Sequence, residues 1–384
     1  MKVHPLSNAK GVTRPCELCA KPSHIQCSKC KVTFYCEESH QKTDFHGIHA
    51  LICPLLGPLR IKDAVLGSEE ERAERLRATT LQFLELLRIS KTQAQKLLFQ
   101  AQYDIAIPAA LQSLRASVQV YGQDSIEVVY VLMFYIIRPA YLLLGEASIG
   151  LRQYEEAEKY LSLAKWAILK DKSGTERNLL KSRLHRNFGQ LYLAVTSYLQ
   201  KQEKFEAAIN ELSLDIYHSS LESGAESLTV CGGLYYLANT FKAMDPPSAP
   251  SKENSANSKE LLVPAPDERR LSFLPAAMIN QKTATNLAIY TEIIKIYRLQ
   301  LSIHANEIQD TESTGKWLDS AQLAESVQIL THIFESRKKQ TNLINAAESL
   351  LILSQVQFYC GCFELAKENA SIAAECTYII NFSL

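Results

Sequence analysis

The chain has 384 residues, of which 47% are hydrophobic, and its 41 basic and 41 acidic side chains cancel. This balance argues against a protein whose main partner is nucleic acid or an anionic membrane surface, because both select a basic excess. The length allows one long domain or several short ones.

Met1 is followed by polar and turn-forming residues (Lys2, His4, Pro5, Ser7, Asn8), not by the apolar core of a secretory leader. Residues 1–15 are therefore expected to be a flexible N-terminus of an intracellular protein. Eight potential metal ligands follow in residues 16–53: Cys16, Cys19, Cys27, Cys30, Cys36, His40, His49 and Cys53. So short a stretch buries little apolar surface, and metal is expected to supply its folding energy. Six of the ten cysteines fall here, which favours zinc in a reducing compartment over a disulfide scaffold spread along the chain. A C-x2-C pair converges two sulfurs from one tight turn, and His49 and Cys53 stand one helical turn apart. Eight ligands make two tetrahedral sites. Spacing alone leaves open whether the sites take the ligands sequentially or interleave them.

The order and spacing resemble the MYND zinc finger, in which the two sites interleave. The resemblance implies one zinc on Cys16, Cys19, Cys36 and His40, and a second on Cys27, Cys30, His49 and Cys53. Two positions depart from the family. His40 stands where a cysteine is usual, and imidazole keeps the ligand count at four, although His46 is close enough to compete. Phe45 stands where a tryptophan is usual. In family members that hold proline-rich peptides, the Gln and Trp of this segment line the groove, so Gln41 and Phe45 are the candidates here. A Phe keeps the apolar face and loses the indole donor. His4, His24 and His46 are read as surface residues. The head has seven basic and four acidic side chains, and with six thiolates and two zinc ions it carries almost no net charge, no footprint for phosphate. Four ligands per ion also leave no open position of the kind catalytic zinc keeps.

Beyond residue 68, Gly and Pro become sparse and amphipathic stretches dominate. The longest apolar run, Val128 to Ile137, is closed by Arg138 and Pro139; it is too short for a bilayer and reads as a buried helix that Pro139 kinks. An aromatic-x-x-Ala unit recurs at Tyr103/Ala106, Tyr154/Ala157, Phe205/Ala208 and Phe363/Ala366. Helix-start patterns recur alongside it at Ser68/Glu71, Asp124/Glu127, Ser173/Glu176 and Ser223/Glu226. Each unit reads as two antiparallel helices with the aromatic opening the second. With Gly145 and Gly189 on first helices and Ala157, Leu161, Ala208 and Leu212 on second ones, the pattern resembles an extended tetratricopeptide repeat, in which Gly and Ala sit where helices touch most closely. About five repeats are expected, over residues 68–244 and again over 269–384. Residues 245–268, rich in Pro, Ser, Asn and Lys, are expected to be a disordered linker. Helix is expected over 228–244, 278–305 and 317–336. Arg269-Arg270-Leu271-Ser272 is a weak match to a phosphorylation site at Ser272. Cys231, Cys360, Cys362 and Cys376 are read as small core residues, and His185, His218, His304 and His332 as packing or surface residues.

The fold class expected is therefore mostly α: a small two-zinc MYND finger, then an all-α tetratricopeptide-like helical-repeat solenoid. A MYND finger with such helices also resembles a family of lysine methyltransferases, but their SET domain has an Asn-His-Ser-Cys segment absent from this sequence. No phosphate loop or nucleophile elbow occurs either, so no catalytic residues are assigned. Finger first and extended repeats after, the chain resembles MYND-finger proteins of ciliary and flagellar axonemes. That implies a scaffold binding other tetratricopeptide and dynein-associated proteins, without nucleic acid or membrane partners. The alternative is a nuclear corepressor adaptor whose finger binds proline-rich peptides.

Overall fold

Two C-x2-C turns open the fold, and both have one shape. Ala20 N–H donates to Cys16 O (3.1 Å) and Lys31 N–H to Cys27 O (3.2 Å), with Ala20 and Lys31 both left-handed at φ +57° and +58°. The computed structural model describes residues 14–60, 68–121, 126–170, 177–199, 203–244, 282–310, 317–339 and 343–383. The expected flexible terminus (except residues 14 and 15), the linker 245–268, Ser272, His4, and the helix starts at Asp124 and Ser173 lie outside these residues.

Between and after the turns run two short antiparallel strands, β1 (Ile25–Gln26) and β2 (Phe34–Tyr35), with Ile25 opposite Tyr35 and Gln26 opposite Phe34. Helix α1 (Glu38–Asp44) passes through a π-helical turn (Phe45–His49) into α2 (Ala50–Arg60). The π turn adds one residue to the helical register. Gly47, Ile48 and His49 are all buried there. His49 and Cys53 then face the metal ligands, while Ile48, Ile52 and Leu56 point elsewhere.

That other face meets the body. Ile48, Ile52 and Leu56 belong to the same buried cluster as Leu86, Ala94, Leu97, Leu98, Ala106, Ala109 and Leu143. Burying each of these large side chains contributes about 1.5–3 kcal/mol. Gly47 fits the contact because a Cβ there would stand 2.5 Å from Ile105 O and 3.2 Å from Pro108 Cβ. The metal-stapled head is therefore not a separate bead; its last helix is part of the first helical core.

The body is helical throughout its described length: α3 (Glu69–Phe99), α4 (Tyr103–Tyr121), α5 (Ile126–Gly150), α6 (Tyr154–Lys170), α7 (Arg177–Leu199), α8 (Glu203–Ser223), α9 (Leu228–Met244), α10 (Lys282–Asp310), α11 (Ser320–Lys339), α12 (Leu343–Tyr359) and α13 (Phe363–Ser383). The apolar run through Ile137 lies in α5, and Pro139 sits inside the same helix. No helix among the described residues is long and apolar enough to cross a membrane.

Successive helices pair, and the repeat positions explain why. Ala106, Ala157 and Ala208 are fully buried, and Ala366 nearly so. A Cβ on Gly145 would stand 2.6 Å from Leu161 Cδ2, and one on Gly189 would stand 2.6 Å from Leu212 Cγ. Glycine is required there so that the two backbones approach. The turn ahead of the aromatic repeats as well. Gln102 N–H donates to Leu97 O (2.9 Å), Gln153 N–H to Ser148 O (2.9 Å) and Cys362 N–H to Gln357 O (2.8 Å). These are the long hydrogen bonds of a Schellman ending, which needs a left-handed residue just before the donor. Ala101 (φ +57°), Arg152 (φ +62°) and Gly361 (φ +80°) fill that place.

Several helix ends differ from the sequence reading. Ser68 and Glu71 do form a capping box at α3. Ser223 does not start a helix: it ends α8, Gly224 turns the chain at φ +86°, and Ser227 Oγ accepts from Thr229 N–H (3.4 Å) ahead of α9. Trp317 precedes α11, where Asp319 Oδ1 accepts from the N–H groups of Ala321 and Gln322 (both 2.8 Å) and Gln322 Oε1 accepts from Asp319 N–H (3.0 Å). Helix α10 runs on to Asp310 rather than stopping at Ala305.

The chain divides into two compact units. The first comprises Met1–Leu180, Lys316–Gln328 and Tyr359–Gly361; the second comprises Lys181–Gly315, Ile329–Phe358 and Cys362–Leu384. In the second, the carboxylate of buried Asp215 accepts from Ser182 Oγ (2.5 Å) and Arg186 Nε (2.8 Å). Fully buried Arg337 of α11 donates to Asn345 O and Ser349 Oγ of α12 (both 2.8 Å). His185 meets Glu211 (2.6 Å) and stacks on His218, and His332 lies edge-on to Tyr235 and Tyr290. Cys231, Cys360 and Cys376 are buried, with Cys362 half-buried at the start of α13.

Candidate metal centres

Each turn aims its sulfurs by backbone hydrogen bonds. Burial of the first cysteine of each turn opposes ionisation, and backbone N–H groups from within the turn, Leu18 and Cys19 for Cys16, Lys29 and Cys30 for Cys27, favour the thiolate. Helix α1 and the π turn then bring imidazoles and the last thiol over these turns.

Two groups of four result. Cys16, Cys19, Cys36 and His40 form one, Cys27, Cys30, His49 and Cys53 the other, and within each all ligand atoms lie within 4.8 Å of one another. In the first, Cys16 Sγ is 3.5 Å and Cys36 Sγ 3.2 Å from His40 Nδ1, and Cys19 Sγ is 3.5 Å from Cys36 Sγ. In the second, His49 Nε2 is 3.3 Å from Cys27 Sγ and 3.8 Å from Cys30 Sγ. Ligands about 2.0–2.3 Å from a common zinc are spaced by roughly 3.3–3.8 Å along the edges of a tetrahedron. The clusters have those edges. They fit two zinc ions, and the ligands interleave along the chain.

The protonation pattern suits a cation. In the first cluster Cys16 and Cys19 are lowered, while burial and the neighbouring Cys19 and Cys16 raise Cys36 to about 12. In the second, burial is outweighed at Cys27, which falls to about 6 with help from the Cys30 N–H and His49, while burial and the Cys30 and Cys27 charges hold Cys53 up at about 11. Thiolates so close repel one another, and a divalent cation removes the penalty by driving off the remaining protons.

A carboxylate stands behind each imidazole. His40 Nε2 is 3.3 Å from Glu37 Oε1. His49 Nδ1 faces Asp44 Oδ2 at 3.7 Å, and that carboxylate accepts from the buried Tyr35 hydroxyl at 2.6 Å. Burial lifts Asp44 to about 6 and pushes Tyr35 well above the usual phenol range. Carboxylates behind metal-ligating histidines fix the ring and strengthen the ligand.

The clusters differ in exposure: in the second only Cys30 is half-buried and Cys27, His49 and Cys53 are buried, whereas in the first Cys19, Cys36 and His40 are half-buried and only Cys16 is buried. His46 stays outside both, exposed and edge-on to Phe45 at 5.7 Å, and His24 is exposed. Gln41 is half-buried on α1 and Phe45 is 42% exposed at the π turn, one helical turn apart.

Three supporting groups carry no signal in the ligand spacing: Glu17, inside the first C-x2-C turn, and the arginines that hold it, Arg60 and Arg115. Asp44, four residues after His40, is visible in the sequence only once His49 is known to need a partner.

Residues 16–53 match the family model of the MYND finger. MYND fingers are protein-interaction modules, and this one is joined to an all-helical body of adjacent pairs, a combination that fits an adaptor.

Proposed function

We propose that the chain is a non-catalytic adaptor that binds partner proteins mainly through its paired helices, as a component of the axoneme of motile cilia and the sperm flagellum. The observation that carries the adaptor reading is a repeated set of exposed apolar side chains on second helices of the pairs. On α6 these are Leu163 (46% exposed) and Trp166 (55%); on α8, at the matching repeat positions, Leu214 (40%) and Tyr217 (44%), followed by Leu221. Large apolar groups left in water at recurring positions favour protein contact. The metal-ligand roles of Cys16, Cys19, Cys36 and His40 and of Cys27, Cys30, His49 and Cys53 are supported by the cluster geometry. Gln41 and Phe45 serve a secondary peptide contact.

The axonemal location, with other tetratricopeptide and dynein-associated proteins as partners, is supported by the layout of finger and paired helices. Affinity purification of the full chain with mass spectrometry tests it: axonemal proteins should be enriched, and Trp166→Ala with Tyr217→Ala should deplete them more than Phe45→Ala. A tagged chain that is only nuclear in ciliated cells, or partners lost through Phe45→Ala alone, would replace this reading with the corepressor one.

A further inference from the structure

Glu17 lies between two ligands of the first cluster, and all its polar groups are engaged. Its N–H donates to Phe34 O (2.9 Å) on β2, the strand that leads into the third ligand, Cys36. Its carbonyl accepts from Arg115 of α4. Its carboxylate, only 12% exposed, accepts from Arg115 Nη1 (2.6 Å) and from both terminal nitrogens of Arg60 at the end of α2. Arg60 also donates to Val32 O (3.2 Å), beyond the second turn. Ser28, at the place in the second turn that matches Glu17, is exposed. The more exposed cluster is thus the one gripped from outside.

We propose that Glu17, clamped by Arg60 and Arg115, is a positioning residue that holds the Cys16–Cys19 turn in its zinc-binding shape and ties the first zinc to the first helical pair. Forked arginine contacts fix geometry as well as charge, and a shared, largely buried carboxylate suffers little of the screening that weakens surface pairs. The clamp fixes the backbone as well as the side chain of the residue between the ligands. Losing it frees the turn to open and leaves the second cluster, whose turn Glu17 does not touch, as it was. Removing groups that orient metal ligands typically costs about 10–100-fold in metal retention.

The test uses full-length, zinc-loaded protein challenged with EDTA, with released thiols pulse-labelled by N-ethylmaleimide and mapped by peptide mass. In Glu17→Gln and Arg115→Ala, labelling of Cys16, Cys19 and Cys36 should accelerate about 10-fold or more. Labelling of Cys27, Cys30 and Cys53 should keep the wild-type rate. Arg88→Ala, which breaks an exposed pair with Glu85, is the control and should label as wild type. Unchanged rates at the first cluster overturn the proposal. Equal acceleration at both clusters overturns it as well, since that is general loosening of the finger. Should Arg115→Ala fail to fold, Arg115→Lys keeps the charge and loses the fork, and the same selective acceleration decides.

Discussion

Replacing Gly145 by alanine discriminates between packing and propensity because they oppose each other in sign. In a solvent-facing helix the change stabilises by about 1 kcal/mol, since alanine restricts the unfolded chain and favours helix. Here the new Cβ would lie 2.6 Å from Leu161 Cδ2 and 2.9 Å from its Cγ. Leu161 is fully buried, so it has no solvent to retreat into. Overpacking of this kind costs about 1–3 kcal/mol, and after the propensity gain a net loss of about 1 kcal/mol remains. Urea unfolding followed by tryptophan fluorescence reads the right part of the molecule, because Trp166 and Trp317 both lie in the first compact unit. Leu161→Ala alone should cost about 2–5 kcal/mol. In its presence the alanine at 145 should become neutral or stabilising, a coupling of about 1 kcal/mol or more. A Gly145→Ala protein as stable as wild type, or a double mutant with additive losses, would refute the close approach of α5 and α6 as the reason for the glycine.

The same logic extends to other features. Gly361→Ala should cost about 1 kcal/mol through its left-handed φ, measured as a lower urea midpoint, although no atom would touch the added methyl. Cys53→Ala should leave one zinc per chain by elemental analysis and also lower the melting of α3 and α4, since Ile52 and Leu56 flank this ligand in the shared core; unchanged melting would show that finger and helices fold independently. His332 titrates below its ordinary 6.5, first because it is buried and then because Lys242 and Lys339 repel a proton. The unfolded chain therefore takes up this proton before the folded one. Stability of the second unit is full above about 6.5 and falls as the pH drops below it. Hydrogen exchange of α9 to α11 should lose this pH dependence in His332→Phe.

Much of the candidate site was legible because metal ligation is local. Four cysteines in two C-x2-C turns and a His-x3-Cys pair announce themselves by spacing, and the aromatic-x-x-Ala units marked the starts of α4, α6 and α13 and, two residues in, of α8. What spacing could not decide was the interleaving, which depends on β2 and α1 folding back over the first turn. The Schellman turns were legible only at Gly361. Ala101 and Arg152 adopt the same left-handed shape against their intrinsic preference, so residue type gave no sign of it. The cap of α11 lies at Asp319, two residues past the bulky Trp317 where the helix is expected to start, and Asp319 and Gln322 hold the spacing of a capping box. Ser223/Glu226 shows the converse, a cap pattern made irrelevant by the glycine that follows it. The union of finger and body was written in Ile48, Ile52 and Leu56, an i, i+4, i+8 stripe hidden among the more conspicuous ligands.

The stripe of Ile48, Ile52 and Leu56 has a consequence for how this protein can be cut and recombined. The family motif ends at Cys53, but the interior to which its last helix contributes continues into α3, α4 and α5. A truncation or splice junction drawn after the last ligand would expose two hydrophobic half-interfaces, one on each product. A finger grafted from another protein would bring its metal and lack the three aliphatic side chains the neighbouring helices require. The smallest transplantable piece thus runs well past the motif, and finger and first helical pair are constrained to be inherited together.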